Sequence, residues 1–283
     1  MVNKHSVYIG ISPSKDSLRI GELRTHLYTY AFGRRNNLPV YIKCDDTNPD
    51  SRSQYQIETL IDEMKIFGIE FTESELTYWN NSIIYQSKNT KIYERSLKIL
   101  NNLGVLSEYN ELISLDFIKA TNLIGNFDDF GGDILRRSIK FDLKNTGYKY
   151  IPLYSLSEKR FFFHLPCVVD EHLMNTLISI NGEDKIALMP IHNTIRSLLN
   201  FEMIKYLHLP LLLMPDSSMR VKGEKYSVKF FLKQYSVDRL TNYLLKSGYR
   251  SYNDKTTNLN DFIVNFNFES INKKSGQFDV DKI

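Results

Sequence analysis

The chain reads first as a run of short apolar segments alternating with longer stretches of helical period. Residues 7–11, Val-Tyr-Ile-Gly-Ile, form an apolar run that breaks at Pro13 into a turn-rich loop ending at Ser17. Leu23, Leu27, Tyr30 and Ala31 then share one face of a predicted helix that stops at Asn36-Asn37. A second buried strand is expected over 40–44, with an acidic, turn-prone exit at Asp45-Asp46. A second helix over 53–67 carries Ile57, Leu60, Ile61 and Met64 as its stripe. Strand, helix, strand, helix in that order predicts a parallel sheet with helices on its faces.

Between about 75 and 158 the pattern loses regularity, apart from a helix over 91–103 closed by Gly104. This stretch reads as an insertion between two halves of the sheet domain. Strands are expected at 161–169 and 176–180, a helix at 186–201 with Pro190 near its start, and a short strand at 211–214. Towards the end, Ser236 is placed to cap a helix over 237–246 that Gly248 would close, and a short helix follows over 261–266. The expected layout is a catalytic-type domain over 1–230, interrupted by the insertion, with a helical element over 231–283.

Composition narrows the class. Apolar residues make up 42% and charged residues 24% of the 283, as in an ordinary globular protein. A net charge of +3 is too small to imply nucleic acid, and Arg34-Arg35, Arg136-Arg137 and Lys273-Lys274 are isolated basic pairs. Cys44 and Cys167 stand far apart with no CxxC spacing, so neither a disulfide framework nor a structural zinc is expected. His164, His172 and His192 show no metal spacing and read as core or surface residues. No apolar run reaches membrane-spanning length, and the expectation is a soluble cytoplasmic protein.

Four pieces could carry chemistry. The loop before Glu22 leads from a parallel strand into a helix, whose first N–H groups hold anions. Asp45-Asp46 would lie in the same crevice, reading equally as a ligand pair or as a solvated turn. Asn181-Gly182-Glu183-Asp184 sits at the crevice edge, where carboxylates meet ribose hydroxyls or simply open a helix. The run His208-Leu209-Pro210-Leu211-Leu212 is a buried strand whose backbone could meet a base edge, and it leads to a loop carrying Arg220 and Lys222.

The order of these pieces is more specific than any one of them. Gly21-Glu22-Leu23-Arg24-Thr25, Cys44-Asp45-Asp46-Thr47, Val168-Val169-Asp170-Glu171-His172-Leu173-Met174, Gly182-Glu183-Asp184 and His208-Leu209-Pro210-Leu211 follow one another. This resembles the class I glutamyl-tRNA synthetase family over essentially the whole chain, and in particular its truncated members, the glutamyl-Q tRNA(Asp) synthetases. The resemblance implies a Rossmann-like α/β sheet with an inserted subdomain and a C-terminal helical stem element. It also implies ATP with Mg2+ as the nucleotide, no zinc, a small amino or carboxylic acid as substrate and tRNA as a possible acceptor. By the family's motifs Ile20, Gly21, Glu183, Asp184, Leu211, Leu212 and Lys222 would hold ATP. Arg19 and Lys222 would act on its phosphates, and Tyr8, Asp45, Phe163, Cys167 and Asn181 would meet the substrate.

Departures from the family are concentrated at these positions. Arg19-Ile20-Gly21-Glu22 stands where the signature is His-Ile-Gly-His, and the Lys-Leu-Ser-Lys-Arg signature is reduced, with Lys222 its surviving cation. Asn181 replaces the arginine that would pair a substrate carboxylate, Phe163 replaces a tyrosine and Tyr8 an arginine, while Asp45 keeps the acidic character expected to hold an ammonium. A site built for a carboxylate loses that preference with its arginine. The expectation is therefore an adenylate-forming ligase whose specificity has moved away from glutamate. The alternative is a catalytically inactive synthetase-like binding or regulatory protein. A tRNA-modifying ligase like the glutamyl-Q enzymes is disfavoured by the shortened insertion and the missing zinc cysteines.

Overall fold

The computed structural model describes residues 5–48, 53–73, 83–125, 132–135, 147–215, 219, 221, 223–250 and 258–283. The chain opens with β1 (Val7–Ile11), α1 (Ile20–Arg35), β2 (Val40–Cys44), α2 (Gln54–Ile66) and β3 (Ile83–Tyr85). The three strands pair in parallel, Val7 opposite Val40 and Ile42 opposite Ile83. Helix α1 is held at its start by Glu22, whose carboxylate accepts the Arg19 N–H at 3.1 Å, and Arg34 and Arg35 occupy its last turn. It lies so close to the sheet that a Cβ on Gly33 would sit 2.7 Å from a Val40 methyl and 2.8 Å from a Val7 methyl.

An antiparallel unit follows, comprising α3 (Thr90–Asn102), β4 (Leu106–Tyr109), β5 (Leu112–Asp116), α4 (Phe117–Ile124), β6 (Tyr150–Ser155) and β7 (Arg160–Phe161). Its four strands pair in sequence order. Asn110 and Glu111 both adopt positive φ, 47° and 60°, which is the two-residue turn that matches strand twist in a hairpin. Strand β3 lies within the stretch expected as an insertion, yet it extends the parallel sheet.

The chain then returns to the sheet through α5 (His164–Leu173), β8 (Ile178–Gly182), a 3-10 turn at Glu183–Leu188, α6 (Met189–Leu198) and β9 (Lys205–Leu209). β8 and β9 pair in parallel, and Ser6 joins this pair to β1: its N–H donates to Asn175 O and its carbonyl accepts from Leu177 N. The spatial order is therefore β3-β2-β1-β8-β9.

Two expectations need correction. Residues 161–169 are not a strand: only Phe161 pairs, and α5 begins at His164. The apolar run fits a strand by composition, but Leu165, Val168 and Val169 recur at helical spacing and are all buried, while Pro166 sits in the first turn where its missing N–H costs nothing. The sheet strand near 211–214 is β9, which ends at Leu209. The following β10 (Leu212–Leu213) is a two-residue piece outside that sheet, paired in parallel with β11 (Gly276–Gln277) near the end of the chain.

The last elements are α7 (Val228–Phe231), α8 (Val237–Lys246) and α9 (Leu259–Asn265). Ser236 caps α8 as expected, its Oγ accepting the Arg239 N–H. Leu240, Leu244 and Phe262 pack into one apolar core with Leu23, Leu27 and Tyr28 of α1, and the Tyr28 and Phe262 rings lie 5.2 Å apart. A second core, including Leu115, Leu153, Phe161, Leu165 and Ile195, joins the antiparallel unit to α5 and α6. These two helices thus form a wall between the unit and the parallel sheet.

Candidate functional site

The sheet order reverses between β1 and β8: β2 follows β1 to one side, and β9 follows β8 to the other. Crevices at such reversals, outside the carboxyl ends of the strands, are where open parallel sheets bind ligands. A cleft of about 270 Å3 occupies this place. Gly10 and Ile11 of β1, Gly182 at the end of β8, the start of α1 and the inner faces of α5 and α6 line it. At Gly182 an added Cβ would lie 2.6 Å from Asp184 Oδ1 and 3.4 Å from Leu211 Cδ2, so a larger residue would push these two side chains aside at the edge of the cleft.

At one end stands the start of α1. Arg19 and Gly21 line the cleft, and among the described residues the Arg19 guanidinium has no hydrogen-bond or ion-pair partner. Glu22 turns its carboxylate back onto the helix start and forms an ion pair with Lys15. Burial opposes the Glu22 charge, but Lys15 and the Arg19 N–H together hold its pKa below the ordinary carboxylate value. One turn on, buried Arg24 donates to the carbonyls of Pro210 and Ser247, which ties α1 to the chain after β9. His26 beside it is buried, its Nδ1 has no partner among the described residues, and burial lowers its pKa to about 4.

The other end is a network of buried charges. Lys43 is 1% exposed; its Nζ donates to Asp45 Oδ1 at 2.8 Å and to Cys167 Sγ at 3.4 Å. The same ammonium lies 5.4 Å from the Tyr8 ring centre and 5.1 Å from that of Phe163. Burial works against this charge, yet Asp45, Cys167 and Asp170 raise the Lys43 pKa above the ordinary lysine value. Behind it, Glu171 is ion-paired with Arg196 and accepts the Tyr8 hydroxyl at 2.5 Å. Arg196 also donates to the Tyr206 hydroxyl at 3.0 Å. Burial, then Glu171, pushes the Cys167 thiol up to about 12. Asp170 accepts from Tyr93 at 2.6 Å and Gln86 at 2.9 Å, and burial raises its carboxyl to about 7.

The sequence-predicted residues separate into three groups. Arg19, Gly21, Asp184, Leu211 and Leu212 line the cleft on the α1 side and along the far edge; Tyr8, Asp45, Phe163, Cys167 and Asn181 line its other end. Ile20 is wholly buried in the core and shapes the turn from behind. Glu183 is turned to the C-terminal segment, where it accepts the Ser275 hydroxyl at 2.5 Å. Asp46 faces away as well, accepting from Ser87 N and Oγ, so of the two adjacent carboxylates only Asp45 reaches the cleft. Lys222 and Arg220 lie outside the described residues. Lys43, Glu171, Arg196 and His192 were not foreseen as site residues. The signal that could have found Glu171 is its spacing of four from Cys167, which places both on one face only when 164–173 is a helix.

The residues present fit a nucleotide in part. The start of α1 and the uncommitted Arg19 suit a nucleoside phosphate, while Glu22 takes the Arg19 N–H just ahead of the helix. Fold and cleft together define a class: a Rossmann-like parallel sheet, similar in fold to class I synthetases, with a cleft at its reversal point. Comparison with known proteins points the same way. Residues 7–105 match the model for tRNA synthetases class I (E and Q), catalytic domain. A glutamate–tRNA ligase of Wigglesworthia glossinidia brevipalpis is 26% identical over 292 aligned positions, covering 94% of this chain and 61% of the relative. Glutamate–tRNA ligase 1 of Petrotoga mobilis is also 26% identical, covering 94% and 60%. The crystal structure of a glutamate–tRNA synthetase from Elizabethkingia anophelis superposes with a TM-score of 0.82 at 16% identity, over 99% of this chain and 69% of that one. The chain is thus similar, over most of its length, to glutamyl-tRNA synthetases of class I. It spans about three-fifths of the length of the curated relatives it matches. No helix among the described residues is long and apolar enough to cross a membrane.

Proposed function

We propose that this chain is an ATP-dependent ligase that activates a small amino or carboxylic acid other than glutamate as its adenylate. In that reaction a carboxylate oxygen of the acid attacks the α-phosphorus of ATP, the bond to pyrophosphate breaks, and the acyl-adenylate stays in the cleft. Arg19 would neutralise phosphate charge from the start of α1, and Lys222 is the second cation the sequence supplies; such groups lower the barrier where charge develops. Mg2+ would arrive on the phosphates and shield them. Gly182 and Leu212 would take the nucleoside.

The observation that carries the altered specificity is the state of the charges at the acid's end. Asn181, at the end of β8, donates to Ser179 Oγ at 2.9 Å, and the buried cation there, Lys43, is already neutralised by Asp45. A free carboxylate side chain such as glutamate's finds no unpaired buried cation to meet it at these positions. The test is ATP–pyrophosphate exchange across a panel of amino and carboxylic acids, with exchange expected for an acid other than glutamate. Absence of exchange with every acid, in protein shown to be folded, overturns the reading. Transfer onto tRNA is a separate step, tested by charging labelled acid onto bulk tRNA. One observation favours the second reading, a non-catalytic synthetase-like binding or regulatory protein: the Glu22 carboxylate and its Lys15 partner occupy the helix start that phosphate would use. Calorimetric titration with ATP decides it, since a cleft that does not bind ATP cannot adenylate.

A further inference from the structure

We propose that Cys167, Glu171 and His192 form a binding site for one transition-metal dication, Zn2+ by its donor set, at the closed end of the cleft. Cys167 and Glu171 are four residues apart on α5, so both side chains leave the same face of the helix. His192 comes from α6, which packs against that face. The three residues are buried, and their ligand atoms lie within 4.8 Å of one another. One sulfur, one carboxylate oxygen and one imidazole nitrogen, with a fourth position open to the cleft, is the pattern of zinc sites that bind a ligand rather than merely brace a fold. Bonds of about 2.0–2.3 Å hold tetrahedral donors somewhat under about 4 Å apart, so binding draws the trio slightly together.

The surroundings supply the outer contacts that orient metal ligands. Glu171 is fixed by Arg196 and by the Tyr8 hydroxyl, and a carboxylate oxygen that accepts one hydrogen bond keeps a lone pair for a metal. His192 Nε2 lies 3.3 Å from His164 Nδ1, which sets the imidazole's orientation, and the Lys43 ammonium donates to Cys167 Sγ. Two cations nearby would repel a dication, but each has its own carboxylate: Asp45 for Lys43 and Glu171 for Arg196. Loss of the thiol proton then leaves the site one charge negative before the metal enters. With the metal bound, the open position faces the part of the cleft lined by Tyr8, Phe163 and Asn181. A carboxylate oxygen or an amine nitrogen of a small acid would complete the coordination there. The site does not depend on the adenylation reading, and its test does not use activity.

Chelator-treated protein is titrated with Co2+ and followed by absorption. The expected result is one equivalent bound, with a thiolate-to-cobalt charge-transfer band in the near ultraviolet and ligand-field bands in the visible, all abolished by excess Zn2+. The chain has two cysteines, so retention of the band in Cys44→Ser assigns the thiolate to Cys167. Cys167→Ser should lose the band, and His192→Ala should weaken Co2+ binding at least tenfold, with circular dichroism confirming that each variant is folded. Absence of the band in the wild-type protein overturns the proposal. So does a band that disappears in folded Cys44→Ser, or one that survives Cys167→Ser.

Discussion

Replacing Arg196 by methionine isolates the energetics of the charge network. Arg196 and Glu171 form an ion pair in which both side chains are 1% exposed, so methionine fills the volume but strands a carboxylate away from water. Breaking a fully buried pair from one side costs about 3–5 kcal/mol, because the remaining charge has lost its partner and has no solvent to replace it. In a chain of this size that corresponds to a fall of very roughly 6–10 °C in melting temperature. Neutralising the stranded group should recover much of the loss: Glu171→Gln keeps an acceptor for the Tyr8 hydroxyl, and Arg196→Met/Glu171→Gln should be more stable than Arg196→Met alone by about 2 kcal/mol. Lys43→Met gives the contrast. Its partner Asp45 has a side chain 26% exposed, so water takes over part of the lost interaction, and the cost should be less than half that of Arg196→Met. Urea denaturation followed by circular dichroism, with chelator present in every sample, measures all four proteins. A cost below about 1 kcal/mol for Arg196→Met, or a double variant no more stable than the single one, would refute the reasoning.

Burial holds the His26 pKa near 4 against an ordinary 6.5, so below pH 6.5 the unfolded chain binds a proton that the folded one does not. Stability present above pH 6.5 is therefore lost as the pH falls towards 4, by about 2 kcal/mol between pH 7 and 5 from this group alone. Urea titrations at the two pH values should show His26→Gln losing that much less than the wild type. Gly33→Ala would press a methyl against Val7 and Val40 at 2.8 and 2.7 Å, and thermal melting should report a loss of about 1–3 kcal/mol. Gly182→Ala displaces only the exposed Asp184 side chain and the Leu211 tip, so the melting temperature should hardly move while calorimetry shows ATP affinity falling about tenfold.

Where local pattern and tertiary environment agree, the chain was legible. Strands β1 and β2 have the bounds their apolar runs predict, and α8 runs from its Ser236 cap to Lys246 as expected, because each is specified by its own residues. Helix α5 was not legible in the same way: Phe161 to Val169 is apolar nearly throughout, and composition cannot distinguish a buried strand from a buried helix. That one misreading hid the heart of the site, since it separates Cys167 from Glu171 and leaves His192 without a neighbour. Strand β9 was legible only at its end, where the run beginning at His208 reads as buried. Its Lys205-Tyr206-Leu207-His208-Leu209 looks too polar for a buried strand, but Asp133 accepts from His208 at both its N–H, at 2.8 Å, and its Nδ1, at 2.7 Å. A partner that distant in sequence cannot be inferred from the strand itself. Most of the predicted ligand positions line one cleft because they sit at strand ends and helix starts, where topology alone brings them together.

The two ends of the cleft share a feature that no single residue announces. A helix start ordinarily offers its N–H groups to an anion, and an acidic residue between aromatic faces ordinarily offers itself to a cation. Here the chain answers part of both roles itself: the Glu22 carboxylate takes the N–H just ahead of α1, and the Lys43 ammonium lies beside Asp45, Tyr8 and Phe163. An incoming phosphate or ammonium at these points would exchange one satisfied contact for another, and the net gain from such an exchange is small. Discrimination must then come from groups not already committed to internal pairs. On the α1 side that is Arg19, which lines the cleft just ahead of α1. At the closed end it is the Cys167 sulfur and the His192 imidazole, whose hydrogen bonds to Lys43 and His164 leave lone pairs to spare. Arg19, Cys167 and His192 are thus the groups left to define what this cleft binds.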